Sequence, residues 1–309
     1  MGFDLNALRA AVAAHGRVSR VVIASVRGSS PREVGAAMLV WDAGQSGTIG
    51  GGALEYEAAR RARAGAKGLS NHALGPEMGQ CCGGAVVLLT ETFDAQALDR
   101  LSDDVIARPV AGAAMPLAVK RLLAAARSQG RLPDPQLLDG WMIEPVARPS
   151  RELWIWGAGH VGRALVQVLS PLPEMAITWV DTAPERFPAR IPEGVTVVPA
   201  ASPADLVHHA PRNAEHLVLT FSHALDLELC HRLLGQDFAF AGLIGSATKW
   251  ARFRSRLSAL GHKPERIARI TCPIGTPELG KHPQMIAVGV AAQLLQRAVP
   301  VAGQEDLTA

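Results

Sequence analysis

WIWGAGHVG, residues 154–162, is the stretch on which the fold of the second half of this chain turns. Three bulky apolar residues stop abruptly at Gly157, and Gly159 and Gly162 complete a G-x-G-x-x-G spacing. A strand that breaks into this turn and reopens as a helix predicts a βαβ unit. The first glycine permits the tight turn, the second lets backbone N–H groups approach a phosphate, and the third lets helix and strand pack closely. The helix N-terminus adds about half a positive charge. "WVD" at 179–181 places Asp181 at the end of the next strand, where a carboxylate can hold a ribose diol. The same glycines could serve close packing alone. The strand before them and the helix after them favour a phosphorylated ligand.

Working outward, the same grammar repeats. "ELWIW" (152–156), "AITWV" (176–180), "VTVV" (195–198), "HLVLTF" (216–221) and "FAFAGLIG" (238–245) read as strands. Helices are expected over 160–169, in "SPADLVHH" (202–209) and in "ALDLELCHRLL" (224–234). Strands separated by helices of this size imply parallel crossovers and a doubly wound, Rossmann-like α/β sheet. "TKWARFRSRLSALG" (248–261) adds a helix with Trp250, Phe253, Leu257 and Leu260 on one stripe and Gly261 closing it. A last helix starts at Pro283, a residue suited to the first turn. Strand ends carrying Ser222, His223, Asp226, Gly245 and Ser246 converge on the crevice where such sheets bind ligands.

The first half reads as a smaller α+β domain. A short helix over 5–14 leads to strands "RVVIASV" (20–26) and "AAMLVW" (36–41). "DAGQSG" (42–47) turns, and Gly50, Gly51 and Gly52 open a helix over 53–64 that contains Glu55. "AVVLLT" (85–90) is a further strand, and helices are expected near 94–107 and 113–128. The proline-rich "RLPDPQ" (131–136) and then "EPVARPS" (144–150) mark a boundary, giving domains 1–150 and 151–309.

The whole chain narrows the function classes. A length of 309 residues suits two domains, and 48% hydrophobic content can bury a sizeable core. A net charge of +3 and 5% aromatic residues argue against nucleic acid as a partner. No apolar run is long enough to span a bilayer, and the N-terminal stretch carries Asp4 and Arg9 in an amphipathic pattern. A soluble, cytoplasmic protein without a membrane partner is expected. In that reducing compartment Cys81, Cys82, Cys230 and Cys272 are expected to be free thiols. Edge strands in the smaller domain favour a homo-oligomer.

"GPEMGQCCGGAV" (75–86) sets two adjacent soft sulfurs, Cys81 and Cys82, between Gln80 and the pair Gly83–Gly84. Zinc spacing is absent. A Cys–His catalytic pair and burial as small hydrophobes both remain open. Thiolates also suit soft or thiophilic metals, molybdenum among them, and the clusters "GTIGGG" and "CCGG" could form an amide-lined anion site.

These blocks resemble a known family. "GSSPREVGAAMLV" (28–40), "GTIGGGALE" (47–55), "GQCCGG" (79–84), "WIWGAGHVGRAL" (154–165), "VDTAPERF" (180–187), "TFSHALD" (220–226), "GLIGSATKW" (242–250) and "CPIG" (272–275) are similar, in order, to XdhC-type xanthine dehydrogenase accessory proteins of the XdhC/CoxI family. The resemblance runs from about residue 18 to 296. It implies a carrier, not an enzyme, that binds the molybdenum cofactor as Mo-molybdopterin. Such a carrier keeps the cofactor while a cysteine desulfurase installs the sulfido ligand, and delivers it to the molybdenum subunit of apo xanthine dehydrogenase. Carried over, the cofactor contacts fall on Gln80, Cys81, Cys82, Gly83 and Gly84, on Gly50, Gly51, Gly52 and Glu55, and on the Gly157, Gly159 and Gly162 loop. Cys81 and Cys82 are the implied molybdenum contacts. Many relatives in the wider group carry cysteine where this chain has Ala53, so the thiol role rests on the CCGG turn. Asp181 and His223 fall at the second crevice; because molybdopterin has no ribose, either Asp181 is structural or a nucleotide occupies that crevice, and His223 is either a ligand contact or a capping or loop residue. Two rivals stand beside the carrier: an NAD(P)-dependent oxidoreductase using the GAGHVG loop, and a scaffold docking through the basic run Lys249, Arg252, Arg254 and Arg256.

Overall fold

Val21, Val22 and Ile23 favour an extended backbone because their branched β-carbons crowd a helix. They lie near the middle of β1 (Val18–Arg27), which follows α1 (Leu5–His15). In the computed structural model, which describes residues 2–75, 83–101, 104–110 and 114–297, the chain divides into two compact units, 1–148 and 149–309. In the first unit β2 (Ala37–Trp41), β3 (Gly44–Gly47), β4 (Gly68–Ala73) and β5 (Ala85–Phe93) join β1 in an antiparallel sheet ordered β3-β2-β1-β5-β4. Side chains alternate across it. Val21, Ile23 and Met38 pack with Leu54, Ala58 and Ala62 of α2 (Gly52–Arg63), whereas Val22, Ala24 and Leu89 pack with Met142.

Met142 belongs to a second antiparallel sheet. After α3 (Ala95–Leu98), β6 (Val105–Pro109), β7 (Gln136–Leu138) and β8 (Trp141–Pro145) pair in the order β6-β8-β7. Val119 of α4 (Leu117–Gln129) closes its core against Val105, Trp141 and Ile143.

The second unit is the doubly wound sheet the apolar runs predict. β9 (Arg151–Trp156), β10 (Met175–Asp181), β11 (Val195–Pro199), β12 (Glu215–Val218), β13 (Phe240–Leu243) and β14 (Ile270–Thr271) are all parallel, in the order β11-β10-β9-β12-β13-β14. Strand order therefore reverses between β9 and β12, which places a crevice beyond their carboxyl ends. Leu153 and Ile155 face a core shared with α5 (His160–Leu169) and α9 (Pro283–Gln296). Trp154 and Trp156 face the opposite core, shared with α6 (His223–Leu233), α7 (Ala247–Ala259) and α8 (Pro264–Ile267). No described helix is long and apolar enough to cross a membrane.

Several expectations change in detail. The helix expected near 94–107 is instead the short α3 followed by strand β6, because Val105 and Ile106 bury on a sheet and Arg108 meets acids on β5 and β8. The segment expected to be a helix at 202–209 tightens to a 3₁₀ turn over Pro203–His209. On α7, Phe253 and Leu257 are buried but Leu260 is exposed, since the helix ends there and Gly261 takes a φ of +91°.

A buried charge network ties the two sheets of the first unit together. Arg20 on β1 makes a bidentate pair with Glu144 on β8, at 3.0 and 2.7 Å. Arg108 on β6 donates to the same carboxylate at 2.6 Å and to Glu91 on β5 at 2.6 and 2.8 Å. Both guanidinium groups lie over the Phe3 ring, 4.2 and 5.0 Å from its centroid. Burial alone would raise the Glu144 pKa, but Arg20 and Arg108 outweigh it and hold the carboxyl below its ordinary value. Removing the Glu144 charge leaves buried Arg20 without its carboxylate and Arg108 with Glu91 alone. Glu144→Gln is therefore expected to cost about 3 kcal/mol, measurable by urea denaturation; a loss below about 1 kcal/mol would mean the network is dispensable.

Candidate functional site

In the first unit, three glycine-rich segments far apart in sequence meet. A Cβ added at Gly84 would lie 2.1 Å from Ser29 O and 2.6 Å from Arg27 O, and one at Gly50 would lie 2.6 Å from Pro31 Cβ. Residues 27–29 thus meet Gly84 and residues 31–32 meet Gly50, so the 27–32 segment touches both glycine clusters. Gly50, Gly51 and Gly52 take φ values of +124°, +75° and +66°, a run that other residues would adopt only under strain. Side chains added at Gly51 or Gly83 would meet nothing within 4 Å among the described residues.

Glu55 holds this loop in shape. Its Oε2 accepts the Thr48 hydroxyl at 2.6 Å, the Ile49 N–H at 2.9 Å and the Gly51 N–H at 3.1 Å, and Oε1 accepts Gln45 Nε2 at 3.0 Å. Partial burial, which would raise the Glu55 pKa, is outweighed by these donors, and the carboxyl sits below its ordinary value. Glu55 therefore shapes the site from behind. Gly50 and Gly84 are each brought against the 27–32 segment, and Gly51, Gly52 and Gly83 adjoin them in the chain, while Gln80, Cys81 and Cys82 lie outside the described residues.

In the second unit, the loop after β9 is built on contacts that only glycine allows. A Cβ at Gly162 would fall 2.0 Å from Gly157 O, so α5 starts in direct contact with the turn. Gly159 is different, because a Cβ there meets nothing within 4 Å. The Gly157 carbonyl accepts Trp179 Nε1 at 3.0 Å, locking the turn to β10. Asp181 accepts the Ala158 N–H through Oδ2, and the Thr182 N–H at 2.6 Å and hydroxyl at 3.1 Å through Oδ1. His223 is exposed at the start of α6, where Ser222 caps the helix through Leu225 N–H.

A second buried pair braces the neighbouring strand ends. Lys249 Nζ donates to Asp226 Oδ2 at 2.6 Å and to Ile244 O at 2.9 Å. Asp226 Oδ1 accepts the Thr220 N–H at 2.9 Å and hydroxyl at 2.8 Å. Lys249, expected from the sequence to belong to a basic surface run, is largely buried here; Arg252, Arg254 and Arg256 are exposed. Cys272 Sγ lies 3.8 Å from Gly245 O, and burial pushes its thiol up to about 11 against the pull of Lys249. Burial raises the Cys230 thiol as well. His216 is buried, accepts Trp156 Nε1 at 3.2 Å, and is pushed by burial down to about 3, so it stays neutral. No group of three or more His, Cys, Asp or Glu is placed to hold a metal among the described residues. Arg186 and Phe221, which the sequence pattern does not single out, also border this crevice, with the guanidinium 4.6 Å from the ring centroid.

The two halves match family models in sequence order. Residues 11–70 match the XdhC and CoxI family, and residues 153–294 match the XdhC Rossmann domain. The chain belongs to the XdhC and CoxI family. YqeB of Escherichia coli (strain K12) is 33% identical over 141 residues, 45% of this chain and 26% of that protein, so the match spans about a quarter of that relative's length. A Bacillus halodurans protein described as a xanthine dehydrogenase has a crystal structure that superposes with a TM-score of 0.69 over 95% of each chain. At 19% identity, that likeness speaks for a shared fold alone.

The geometry separates two glycines of one family motif. Gly162→Ala should cost about 2 kcal/mol or more through a backbone clash, whereas Gly159→Ala should melt within a degree or two of the parent, on the order of 0.5 kcal/mol. Thermal melting of both variants checks this. For Glu55, the lowered native value means the loop's carboxylate bonds are whole above the ordinary value of 4.5 and are lost as pH falls below it toward the native value. Amide shifts of Ile49 and Gly51 should follow that titration and should not titrate in Glu55→Gln.

Proposed function

We propose that this chain is a maturation factor for a molybdenum-containing xanthine dehydrogenase, and that it carries the molybdenum cofactor without turning it over. The observation that supports this most is that residues 27–32 touch both Gly50 and Gly84, which brings the glycine run after β3 and the glycines that follow the Cys81–Cys82 pair against one segment. Molybdopterin ends in a phosphate monoester, and glycine-rich turns offer backbone N–H groups at close range to such an anion. Gly51 and Gly83 leave room for it, and Glu55 fixes the turn before the cargo arrives. Cys81 and Cys82 supply soft sulfur beside the molybdenum, while Cys230 and Cys272, both raised by burial, remain protonated and inert.

The partners follow from that role. A cysteine desulfurase would add the sulfido ligand to the carried cofactor, and the molybdenum subunit of apo xanthine dehydrogenase would receive it. A carrier must hold its cargo and release it intact, which preorganised amides accomplish without covalent chemistry. The protein acts in the cytoplasm in this reading, where the cofactor and its acceptor meet.

The test is co-purification from cells rich in the cofactor, followed by metal analysis and fluorescence of the oxidised pterin. The parent protein should carry molybdenum and pterin together. Cys81→Ala or Cys82→Ala should lower molybdenum retention at least about tenfold, a range that even an outer-shell contact to a metal controls, with circular dichroism unchanged. Parent protein free of both, or both variants retaining full molybdenum, would overturn the reading.

A further inference from the structure

The crevice beyond β9 and β12 has a charge arrangement that its glycine pattern does not foretell. Crevices of this kind offer either a carboxylate at the second strand to a ribose diol, or a nearby guanidinium to a 2′-phosphate. Here the carboxylate is already committed. Asp181 is 3% exposed, and its two oxygens accept three hydrogen bonds from Ala158 and Thr182. Arg186 Nε stands 3.4 Å from Oδ1, close enough for an ion pair though without hydrogen-bond geometry. A carboxylate has about four acceptor positions, so a ribose diol finds neither access nor enough free lone pairs.

Arg186 is arranged in the opposite way. Its backbone is tied to the glycine loop by Arg163, which donates to Arg186 O at 2.8 Å and to Ala158 O at 3.0 Å. Its guanidinium reaches from the β10 side to Phe221 on the β12 side and lies over that ring, 4.6 Å from the centroid. Phe221 is 65% exposed, so the ring and the guanidinium over it are open to solvent. With Nε turned toward Asp181, the two terminal amino groups take no hydrogen bond among the described residues. A guanidinium edge of this kind can grip a phosphate with two parallel bonds. Open space at Gly159 leaves room for the ligand beside it.

We propose that this crevice selects a phosphate monoester, received by Arg186, and does not recognise a ribose diol through Asp181. None of the residues involved belongs to the cofactor site proposed for the first unit. Two sources share the chemistry, a nucleoside 2′-phosphate and a phosphorylated pterin.

The experiment titrates the full chain, by calorimetry, with two matched pairs. The first is NADP⁺ against NAD⁺, which differ by the 2′-phosphate. The second is the oxidised molybdopterin derivative with and without its phosphate. In at least one pair the phosphorylated member should bind about 10–100-fold tighter, as expected for two charge-assisted bonds, and the responding pair identifies the source. Arg186→Ala should erase that preference. Arg186→Gln, closer in length and polarity, should erase it too, and serves in place of the alanine variant if that one does not fold. Phe221→Ala should weaken the preference without reversing it, and Cys81→Ala should leave it intact, separating this crevice from the carrier site. Equal binding within both pairs, no saturable binding of any probe, or a preference surviving in folded Arg186→Gln would overturn the proposal.

Discussion

One carbonyl oxygen organises the second unit. Gly157 O sits where a Cβ on Gly162 would fall at 2.0 Å, and it also accepts the Trp179 indole N–H at 3.0 Å. The first contact lets α5 begin immediately above the end of β9. The second fixes the turn to β10, the strand that delivers Asp181. Without a hydrogen atom in place of a side chain at residue 162, the helix would have to withdraw, and its N-terminal amides would no longer converge over the sheet. Core packing on both faces then holds the loop rigid, because Leu153 and Ile155 bury on one side of β9 and Trp154 and Trp156 on the other.

The first unit uses the same device between segments far apart in sequence. Gly84 approaches Ser29 O so closely that only hydrogen fits, and Gly50 meets Pro31. Backbone approaching backbone leaves little to side-chain packing, so the loop needs another source of order. Glu55 provides it by gathering two amides and a hydroxyl from residues 48–51. Three left-handed glycines are sustained in that setting, since the carboxylate bonds form only when the turn is made.

Legibility in the sequence follows the physics of each signal. Five of the six parallel strands show as largely apolar runs; burial on both faces removes most polar residues from the inner ones, and β11, at the sheet edge and only partly buried, still shows through its β-branched residues. β14, with two residues, is too short to leave a pattern, and it pairs only at Ala241 and Gly242. β6 resembles part of a helix in the sequence because its five residues include Arg108, whose acidic partners on β5 and β8 are distant along the chain. The glycine spacing announces the strand–turn–helix of the second unit, and Asp181 is the last residue of β10. The direction in which its carboxylate turns is not readable, since that depends on the Ala158 N–H, which the fold of the glycine turn brings within reach. Arg186 leaves no signal either: one arginine five residues past a strand end is ordinary until its guanidinium is seen over Phe221.

The carboxylates of both loops share a logic that bears on what the loops can hold. Glu55, Asp181 and Asp226 all accept backbone N–H groups of neighbouring turns, and each is also bonded by a hydroxyl, from Thr48, Thr182 and Thr220 respectively. Placed this way, an acidic side chain preorganises its turn while its charge is absorbed by donors behind it. A carboxylate left facing the ligand would instead repel an anion, and in a partly enclosed site that repulsion exceeds what it would be in water. Glycine at the front and acid at the back is therefore the arrangement that suits an anionic cargo, in which the amide dipoles and the edge of Arg186 remain uncompensated on the open side. Ribose hydroxyls and other neutral donors would gain least from it, because the acceptors they need are already taken.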